Sequence, residues 1–263
     1  MLKQYVVDAF AERVFEGNPA AVCITDKWLD DKLMQLITSE NNLSETAFAV
    51  KENKSYRLRW FTPNGEIDLC GHATLATAFV IMNYYEKELT EIHFNTLSGD
   101  LIVNKIDNMY ELDFPCYSLK SIETTEKIKK IIGFTPVETW IDRDLVCVLE
   151  NENQIKNAKI DLENAKSLPG LLLHITARSS NSEYDCVSRS FAPKLNVSED
   201  PVCGTGHCHI APFWAKRLKK EKIVAKQESE RSGILYCQVN DDRIKLKGRA
   251  VLYSISELQL TSF

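Results

Sequence analysis

The sequence predicts an α+β fold of two similar domains, each a curved sheet or barrel around a central apolar helix. An internal repeat is the first observation, because Cys70-Gly71 in the first half returns as Cys203-Gly204 in the second. In each half an Arg-x-Phe-x-Pro segment and an acidic residue precede the cysteine, and an apolar helix follows it. The chain of 263 residues is long enough for two such units.

The half-chain offset of the repeat also sets the domain boundaries. We place the N-terminal domain at residues 1–115, with its central helix at 72–85. The C-terminal domain covers residues 126–263, with its central helix at 206–218, and its tail is free to pack back on the N-terminal domain. The residues between 115 and 126 lose strand and helix periodicity, so they form the connection.

The first half alternates strand-like segments with two helices. Asp26 caps a predicted helix that runs to about residue 39, and a polar turn then delivers Glu45 to the start of an apolar strand. The helix at 72–85 is apolar on nearly all sides, so it should be buried and not lie on a surface. A strongly curved sheet wrapped around it is the simplest packing that covers such a helix.

The second half repeats this order of strands and helices. Its central helix at 206–218 contains Pro212, which predicts either a bend or an irregular first turn. Strand-like segments follow it, and residues 240–242 read as a hairpin turn between two of them.

Composition and charge exclude several classes of function. The net charge of -5 and a pI near 5.7 give a nucleic-acid backbone nothing to hold, so no nucleic-acid partner is expected. No apolar run approaches a membrane span of about 20 residues, and residues 1–10 lack a signal-peptide pattern. We therefore expect a cytoplasmic protein whose eight scattered cysteines are mostly reduced core residues.

The two helix N-termini are the places where cysteine chemistry becomes useful. Free backbone N–H groups and the helix dipole favour an anion there and should lower the pKa of Cys70 and Cys203. If the domains pack with two-fold pseudosymmetry, both thiols open onto one cleft, as a two-base racemase or epimerase requires. The alternative is that each cysteine is only a small buried apolar residue.

Neighbouring polar residues extend this candidate site. His72 should have a depressed pKa near its helix N-terminus and act as a neutral donor, and Asp200 could orient a partner. A zinc site from Cys203, His207, Cys208 and His209 is disfavoured because no CxxC or HExxH spacing is present. A glutamate such as Glu45 is most often an exposed loop residue, and a non-catalytic binding module also remains open.

Six short segments together resemble the phenazine-biosynthesis PhzF-like family, which has a diaminopimelate epimerase-like fold. They cover both halves of the chain and comprise DAF at 8–10, GNPA at 17–20, SETAF at 44–48, FTP at 61–63, CGHAT at 70–74 and EDPVxG at 199–204. The resemblance implies no cofactor and no metal. It implies that Glu45 is the general acid/base and that His72 and Asp200 line the substrate cleft.

Two positions depart from the family pattern. Thr205 stands where serine is usual, and Cys203 stands where the phenazine enzymes commonly have threonine. With Cys70, Cys203 instead resembles the catalytic cysteine pair of diaminopimelate epimerases and proline racemases. The sequence therefore carries both catalytic sets.

These observations predict a cofactor-independent isomerase that acts on a small carboxylate-bearing metabolite by proton transfer in an inter-domain cleft. Its partner is a small-molecule substrate, with no membrane or nucleic acid, and a homodimer is compatible with the sequence. The alternatives are a two-thiol amino-acid racemase and a non-catalytic small-molecule binding protein. The catalytic candidates are Glu45, Cys70, Cys203, His72 and Asp200, and the substrate-binding candidates are Gly71, Ala73, Gly204, Thr205 and Gly206.

Overall fold

The structure, a computed structural model, describes residues 2–260. These residues form two compact units. The first unit holds the described residues up to Asp113 together with those from Lys247 onward, and the second unit is Phe114–Leu246.

The first unit begins with eight strands and two α-helices. In chain order these are β1 (Leu2–Ala9), β2 (Asn18–Thr25), α1 (Asp31–Asn41), β3 (Glu45–Glu52), β4 (Ser55–Thr62), β5 (Gly65–Ile67), α2 (Gly71–Val80), a π-helical turn (Ile81–Tyr85), β6 (Glu91–Thr96), β7 (Gly99–Ile106) and β8 (Met109–Pro115). The second unit starts within β8.

The chain then continues through nine strands and four α-helices before it returns to the first unit. These are β9 (Lys120–Ile122), α3 (Glu126–Ile132), β10 (Glu138–Ile141), β11 (Leu145–Val148), α4 (Glu152–Asn157), α5 (Leu162–Ala165), β12 (Leu173–Arg178), β13 (Cys186–Ala192), a 3-10 turn (Pro193–Leu195), β14 (Val197–Asp200), α6 (Gly204–Leu218), β15 (Lys222–Gln227), β16 (Gly233–Asn240) and β17 (Arg243–Gly248). The last strand is β18 (Ala250–Leu258), which pairs antiparallel with β1 along its length. That pairing places the C-terminal segment in the first unit.

The same pairing order occurs in both units. In the first, β2 is parallel to β3, β3 is antiparallel to β4, β4 is antiparallel to β5, and β4 is parallel to β6. In the second, β11, β12, β13, β14 and β15 repeat that order. Because parallel neighbours need a long crossover, α2 and α6 are the equivalent crossover helices. The predicted α+β fold of two similar domains is confirmed.

The helix α2 is buried along its whole length. Nine of its ten residues are buried and Phe79 is half-buried, as expected for a helix that is apolar on all sides. The predicted helix extends to residue 85, but the α-helix ends at Val80 and a π-helical turn follows. The backbone N–H of Glu86 closes that turn by donating to the carbonyl of Ile81 at 2.7 Å.

The repeated arginine and acidic residue form the same ion pair in each unit. Arg59 on β4 contacts Glu66 on β5 through two parallel N–H···O bonds of 2.6 and 2.7 Å. Arg189 on β13 contacts Glu199 on β14 in the same way, at 2.7 and 2.8 Å. Each guanidinium also lies over the phenylalanine ring two residues further on, at 5.1 and 5.0 Å. We call these two pairs the arginine forks.

Each arginine fork also holds the end of a neighbouring helix. Arg59 donates to Asp31 in the first turn of α1 at 2.8 Å. Arg189 donates to the carbonyl of Ala158, which follows α4, at 2.9 Å. The fork therefore ties together a strand, the next strand and a helix in both units.

One local prediction about helices is wrong, and a proline inside α6 leaves a carbonyl without its helical partner. The cap of α1 is Asp30, whose side chain accepts a hydrogen bond from the backbone of Lys32, so the prediction of Asp26 as the cap is wrong. The helix α6 runs through Pro212, which cannot donate to the carbonyl of Cys208 one turn earlier. That carbonyl accepts the backbone N–H of Tyr117 at 3.1 Å instead.

Two features of composition have clear structural counterparts. All eight cysteines are free thiols, and seven of them are buried while Cys116 is half-buried. They are therefore reduced core residues for the most part, as predicted. Within residues 2–260 no helix is both long and apolar enough to cross a membrane.

Two glycines with the same backbone conformation test how tightly the second unit is packed. Gly133 and Gly170 both have φ near +79°, but a Cβ at Gly170 would lie 2.7 Å from the backbone nitrogen of Leu145. At Gly133 the nearest atom would be 3.8 Å away. Both alanine substitutions carry the same left-handed strain, so Gly170→Ala should lower the free energy of unfolding by about 2 kcal/mol more than Gly133→Ala. Urea denaturation measures this difference, and equal losses would contradict the close packing.

Candidate active site

Three predicted site residues meet in the first unit. Glu45 is the first residue of β3, Cys70 is the N-cap of α2, and His72 lies in the first turn of that helix. The imidazole of His72 lies between the other two side chains. Its Nε2 is 2.8 Å from Oε2 of Glu45, and its Nδ1 is 3.5 Å from Sγ of Cys70. We call Glu45, Cys70 and His72 the first cluster.

Asn18, the first residue of β2, fixes the orientation of the His72 ring. Its side-chain nitrogen is 3.2 Å from Nδ1 of His72, and its side-chain oxygen accepts a hydrogen bond from Ser44. Because an amide nitrogen only donates, Nδ1 accepts in the neutral ring, and the proton of the neutral ring is then on Nε2, the nitrogen nearer to Glu45. Asn18 and Ser44 both lie in segments that resemble the family pattern, but the sequence does not show that they support His72.

The first cluster does not have the pKa values that its helix N-terminus predicts. Burial, and then the charge of Glu45, raises the pKa of Cys70. Burial acts to lower the pKa of His72, but its contacts with Cys70 and Glu45 raise it well above the ordinary value. The predictions of a lowered thiol pKa and a depressed histidine pKa are therefore wrong. The neighbouring carboxylate, which sequence spacing could not locate, outweighs the helix dipole.

Exposure separates the members of the first cluster. The side chain of Glu45 keeps 15% of its surface exposed, against 8% for His72, and Cys70 is 5% exposed. Glu45 is thus the member best able to reach a bound molecule. Gly71 and Ala73 are buried in the first turn of α2 beside it.

The equivalent position in the second unit is held by Cys203, the N-cap of α6. Its Sγ accepts the backbone N–H of Gly206 at 3.3 Å and is 3.5 Å from Oγ1 of Thr205. Burial raises the pKa of Cys203 well above its ordinary value, and the charge of Asp200 adds to this effect. The predicted thiolate is again wrong. Thr205 is the half-buried residue of this first turn, whereas Gly204 and Gly206 are buried.

Asp200 reaches the helix N-terminus through one glutamine. It ends β14, and its carboxylate accepts the backbone N–H of Val202 at 3.1 Å. Gln227 on β15 donates to the backbone carbonyl of Asp200 and accepts the backbone N–H of Cys203 at 2.9 Å. Gln227 was missed in the sequence, where a glutamine at the end of an apolar strand carries no particular signal.

A buried polar chain behind α6 was also missed. Asp144 is held by Arg143 at 2.6 Å and lies 3.2 Å from Nε2 of His174, whose Nδ1 is 2.9 Å from the hydroxyl of Ser190. A Cβ at Gly206 would lie 2.7 Å from the His174 ring, so this histidine packs directly on the first turn of α6. His174 is the only ionisable residue in the run LLLHITA, and that contrast is the signal that could have found it.

Among residues 2–260, two groups of side chains have the residue types and proximity that a metal ion needs. One is the first cluster, and the other is Asp144, His174 and His209. In the first cluster, His72 presents opposite ring nitrogens to Cys70 and Glu45, so one ion could not use all three through the contacts present. In the second, the guanidinium of Arg143 already occupies Asp144.

The suggested zinc set of Cys203, His207, Cys208 and His209 does not form a cluster among residues 2–260. Nδ1 of His207 donates to the carbonyl of Cys203 at 2.7 Å, and its Nε2 lies 3.3 Å from the hydroxyl of Ser188. Burial lowers the pKa of His207 to about 4. This ring is therefore neutral and is used in packing the helix.

Comparisons with known proteins give the same family over nearly the whole chain. The family model described as "Phenazine biosynthesis-like protein" matches residues 7–255. An uncharacterized isomerase of Pseudomonas aeruginosa is 43% identical over 97% of this chain and 98% of its own length. A crystal structure of a PhzF-family phenazine biosynthesis protein from Enterococcus faecalis is 46% identical, with a TM-score of 0.96 over 98% of this chain and 99% of that chain. A probable proline racemase from Agrobacterium radiobacter shares the fold alone, at 9% identity and a TM-score of 0.67 over 100% of this chain and 94% of that chain.

The neutral ring of His207 predicts a pH dependence of stability. Its pKa is about 4 in the folded protein against 6.5 ordinarily, so between these values the unfolded chain binds a proton that the folded chain does not. Stability from this group is complete above pH 6.5 and falls with pH, by about 2 kcal/mol at pH 5. His207→Gln should lose less of its unfolding free energy between pH 7.5 and 5 than the parent protein does.

The variant His93→Gln makes the same substitution at an exposed histidine and serves as the matched control. Urea denaturation at several pH values measures both variants. An NMR titration of the His207 ring in the parent protein gives an independent check, since the variant loses two hydrogen bonds. A ring that titrates near pH 6.5 would contradict the assignment.

Proposed function

Because the chain belongs to the phenazine biosynthesis-like protein family, we propose that it is a cofactor-independent isomerase of a small carboxylate-bearing metabolite. It acts by moving a proton at a carbon next to an activating group. The relatives named as isomerases support this class of reaction. The observation that carries the proposal is the contact between Glu45 and His72 at the N-terminus of α2.

Glu45 has the position and the chemistry of a general base. Its carboxylate takes the proton from the carbon, and the bonding electrons move into the adjacent activating group to give an enolate-like intermediate. The protonated Glu45 then returns the proton to a different position or face, so that atoms and charge balance. Partial exposure lets this carboxylate touch the substrate, while its contact with His72 holds one oxygen in place.

His72 and Cys70 support the same proton movement. Nε2 of His72 lies 2.8 Å from Oε2 of Glu45, and the raised pKa of His72 favours the protonated ring beside this carboxylate. The thiol of Cys70, on the other side of the ring, is 3.5 Å from Nδ1 and can supply or receive the second proton of the imidazole. The three side chains thus form a proton path that ends at Glu45.

The first turns of the two crossover helices are the proposed substrate-binding segments. Backbone N–H groups in a first turn lack intrahelical partners, and the helix dipole favours an anion. We assign the substrate carboxylate to such a turn, with Asp200 and Thr205 as the half-buried polar residues at α6. The remaining members of this set are Gly71, Ala73, Gly204 and Gly206.

One observation favours a second mechanism. Cys70 and Cys203 are the N-caps of the equivalent helices α2 and α6, which is the placement that a two-thiol racemase would use. Both thiols are at most 5% exposed and have raised pKa values, so neither is a thiolate at neutral pH. We therefore rank the Glu45 mechanism first, and the two mechanisms predict different mutant phenotypes.

The reaction class can be tested before the substrate is known. Incubating the protein with pools of amino acids, hydroxy acids and other small carboxylates in D2O should place deuterium in the true substrate, detected by mass spectrometry. Heat-inactivated protein is the control. Failure of exchange across a broad pool, with folded protein, would favour the non-catalytic binding alternative.

The working acid/base group follows from substitutions measured on that substrate. Glu45→Gln keeps the shape of the side chain but removes the base, so we expect a loss of rate on the order of 10²–10⁴-fold. Cys203→Ser should lower the rate much less. The exposed Glu88→Gln serves as the carboxylate control and should keep the parent rate. A larger loss in Cys203→Ser than in Glu45→Gln would replace the carboxylate mechanism with the two-thiol mechanism.

A further inference from the structure

Gln227 holds the chain segment that leads into α6. It is the last residue of β15, and its side chain is fully buried. Its amide nitrogen donates to the carbonyl of Asp200, and its amide oxygen accepts the backbone N–H of Cys203 at 2.9 Å. One side chain therefore fixes both ends of the segment 200–203. Because the nitrogen can only donate and the oxygen can only accept, these two contacts also fix the orientation of the amide.

The backbone of Gln227 is itself held by the sheet. It lies opposite Ser188 on β13 and Gly233 on β16, so β15 is paired on both sides at this point. The carbonyl of Gln227 accepts the hydroxyl of Ser232 at 2.9 Å, and the residue after it donates to the carbonyl of Ser188 at 2.7 Å. Gln227 is thus a fixed reference point from which the N-terminus of α6 is positioned.

Each unit holds the segment before its capping cysteine with a serine hydroxyl. In the first unit Ser98 donates to the carbonyl of Asp68 at 2.8 Å. In the second unit Ser229 donates to the carbonyl of Pro201 at 2.6 Å. Each carbonyl lies two residues before the cysteine, and each serine lies two residues after the strand that is parallel to the strand of the arginine fork. The two serines are therefore equivalent contacts of the repeat.

The last residue of that parallel strand differs between the units. It is Thr96 on β6 and Gln227 on β15. The hydroxyl of Thr96 donates to the carbonyl of Gly99 at 2.7 Å and accepts the backbone N–H of Ser98 at 3.2 Å, so it is used within its own turn. Gln227 instead reaches the segment before α6. The two units thus share the serine contact and differ in the contact that Gln227 makes.

The contact with Gln227 continues into the first turn of α6. Cys203 accepts the backbone N–H of Gly206 through Sγ and that of His207 through its carbonyl, both at 3.3 Å. A displacement of Cys203 would therefore displace the donors of this turn. Thr205, the half-buried residue proposed to face the substrate carboxylate, lies within the same turn. Binding of an anion is strongest when such donors are already in place before it arrives.

We propose that Gln227 is a positioning residue for substrate binding at the N-terminus of α6. It acts through Asp200 and Cys203 and does not touch the substrate. This inference rests on the function proposed above, in which the first turn of a crossover helix binds the substrate carboxylate. Because such a turn binds the substrate and the transition state alike, loss of the contact raises KM and leaves kcat nearly unchanged.

The variant Gln227→Met keeps the length of the side chain and removes both hydrogen-bonding groups. With the substrate found by deuterium exchange, we expect KM to rise about tenfold while kcat changes by less than about twofold. Gln35→Met is the matched control, because the amide of Gln35 on α1 also donates to a backbone carbonyl, that of Thr62, at 2.9 Å. The control should keep the parent KM. A parent-like KM in Gln227→Met, or a loss in kcat alone, would overturn the proposal.

The variant Gln227→Glu offers a rescue that depends on pH. A protonated carboxyl donates to the Asp200 carbonyl and accepts the N–H of Cys203, as the amide does, whereas a carboxylate has no donor. Burial raises the pKa of such a carboxyl above its usual value of about 4.3. The ratio of variant to parent KM should therefore be near one at about pH 5.5 and about fivefold or more at about pH 8. A ratio that stays high at the lower pH would overturn the proposal.

The parent protein is the reference at each pH. The titratable groups near this amide are Asp200, Cys203, His207 and the adjacent Glu228, and both proteins contain them. Their titration therefore cancels in the ratio of the two KM values. What remains is the ionisation of the introduced carboxyl.

Amide hydrogen exchange tests the positioning role without a substrate. In Gln227→Met the backbone N–H groups of Gly206 and His207 should exchange about tenfold faster than in the parent, with a smaller increase at Ala215 near the end of the same helix. Equal increases along α6 would mean that Gln227 only stabilises the unit as a whole, which would overturn the proposal. If Gln227→Met does not fold, Gln227→Glu at about pH 8 replaces it in both measurements.

The two measurements separate this inference from the proposed function. If the parent protein moves deuterium into no metabolite, the proposed function fails, and hydrogen exchange still decides whether Gln227 positions the first turn of α6. If deuterium transfer occurs and Gln227→Met changes neither KM nor exchange in that turn, the proposed function stands and the positioning role is rejected.

Discussion

The arginine forks are the interaction on which the rest of this structure depends. In each unit a guanidinium holds a glutamate of the next strand and one end of a helix, on the approach to the cysteine that caps the crossover helix. Arg59 and Arg189 are mostly buried, and a two-bond contact of this kind fixes direction as well as distance. The N-termini of α2 and α6 are therefore positioned by the rigid strands that precede them. A catalytic group at such an N-terminus needs little reorganisation when substrate binds.

Burial determines the protonation of the side chains at these two helix N-termini. A helix dipole favours negative charge, but both capping thiols are too deeply buried to benefit, and their pKa values rise. At the N-terminus of α2, the carboxylate of Glu45 on strand β3 lies 2.8 Å from His72. The N-terminus of α6 instead has backbone N–H groups and the hydroxyl of Thr205. The same fold thus places a carboxylate–histidine contact at the N-terminus of α2 and a half-buried threonine hydroxyl at the N-terminus of α6.

The sequence was sufficient for the architecture because the repeat and the all-apolar helix constrain packing directly. It was also sufficient to select Glu45, Cys70 and His72, which the structure brings together. It was not sufficient for their protonation, because pKa depends on distances and burial that spacing along the chain does not contain. The buried chain from Arg143 to Ser190 was missed for a related reason: its members come from three separate segments, and only His174 differs from the apolar residues around it.

Pro212 illustrates how a residue that disfavours a helix can serve the chain around it. By leaving the Cys208 carbonyl without an internal partner, it gives the segment after β8 a fixed attachment point at Tyr117. An alanine at this position would restore the helical hydrogen bond and compete for the same acceptor. The usual gain from removing a helical proline would then be accompanied by a loosened connecting segment. The hydrogen bond that α6 lacks at Pro212 is thus replaced by one that holds the segment after β8.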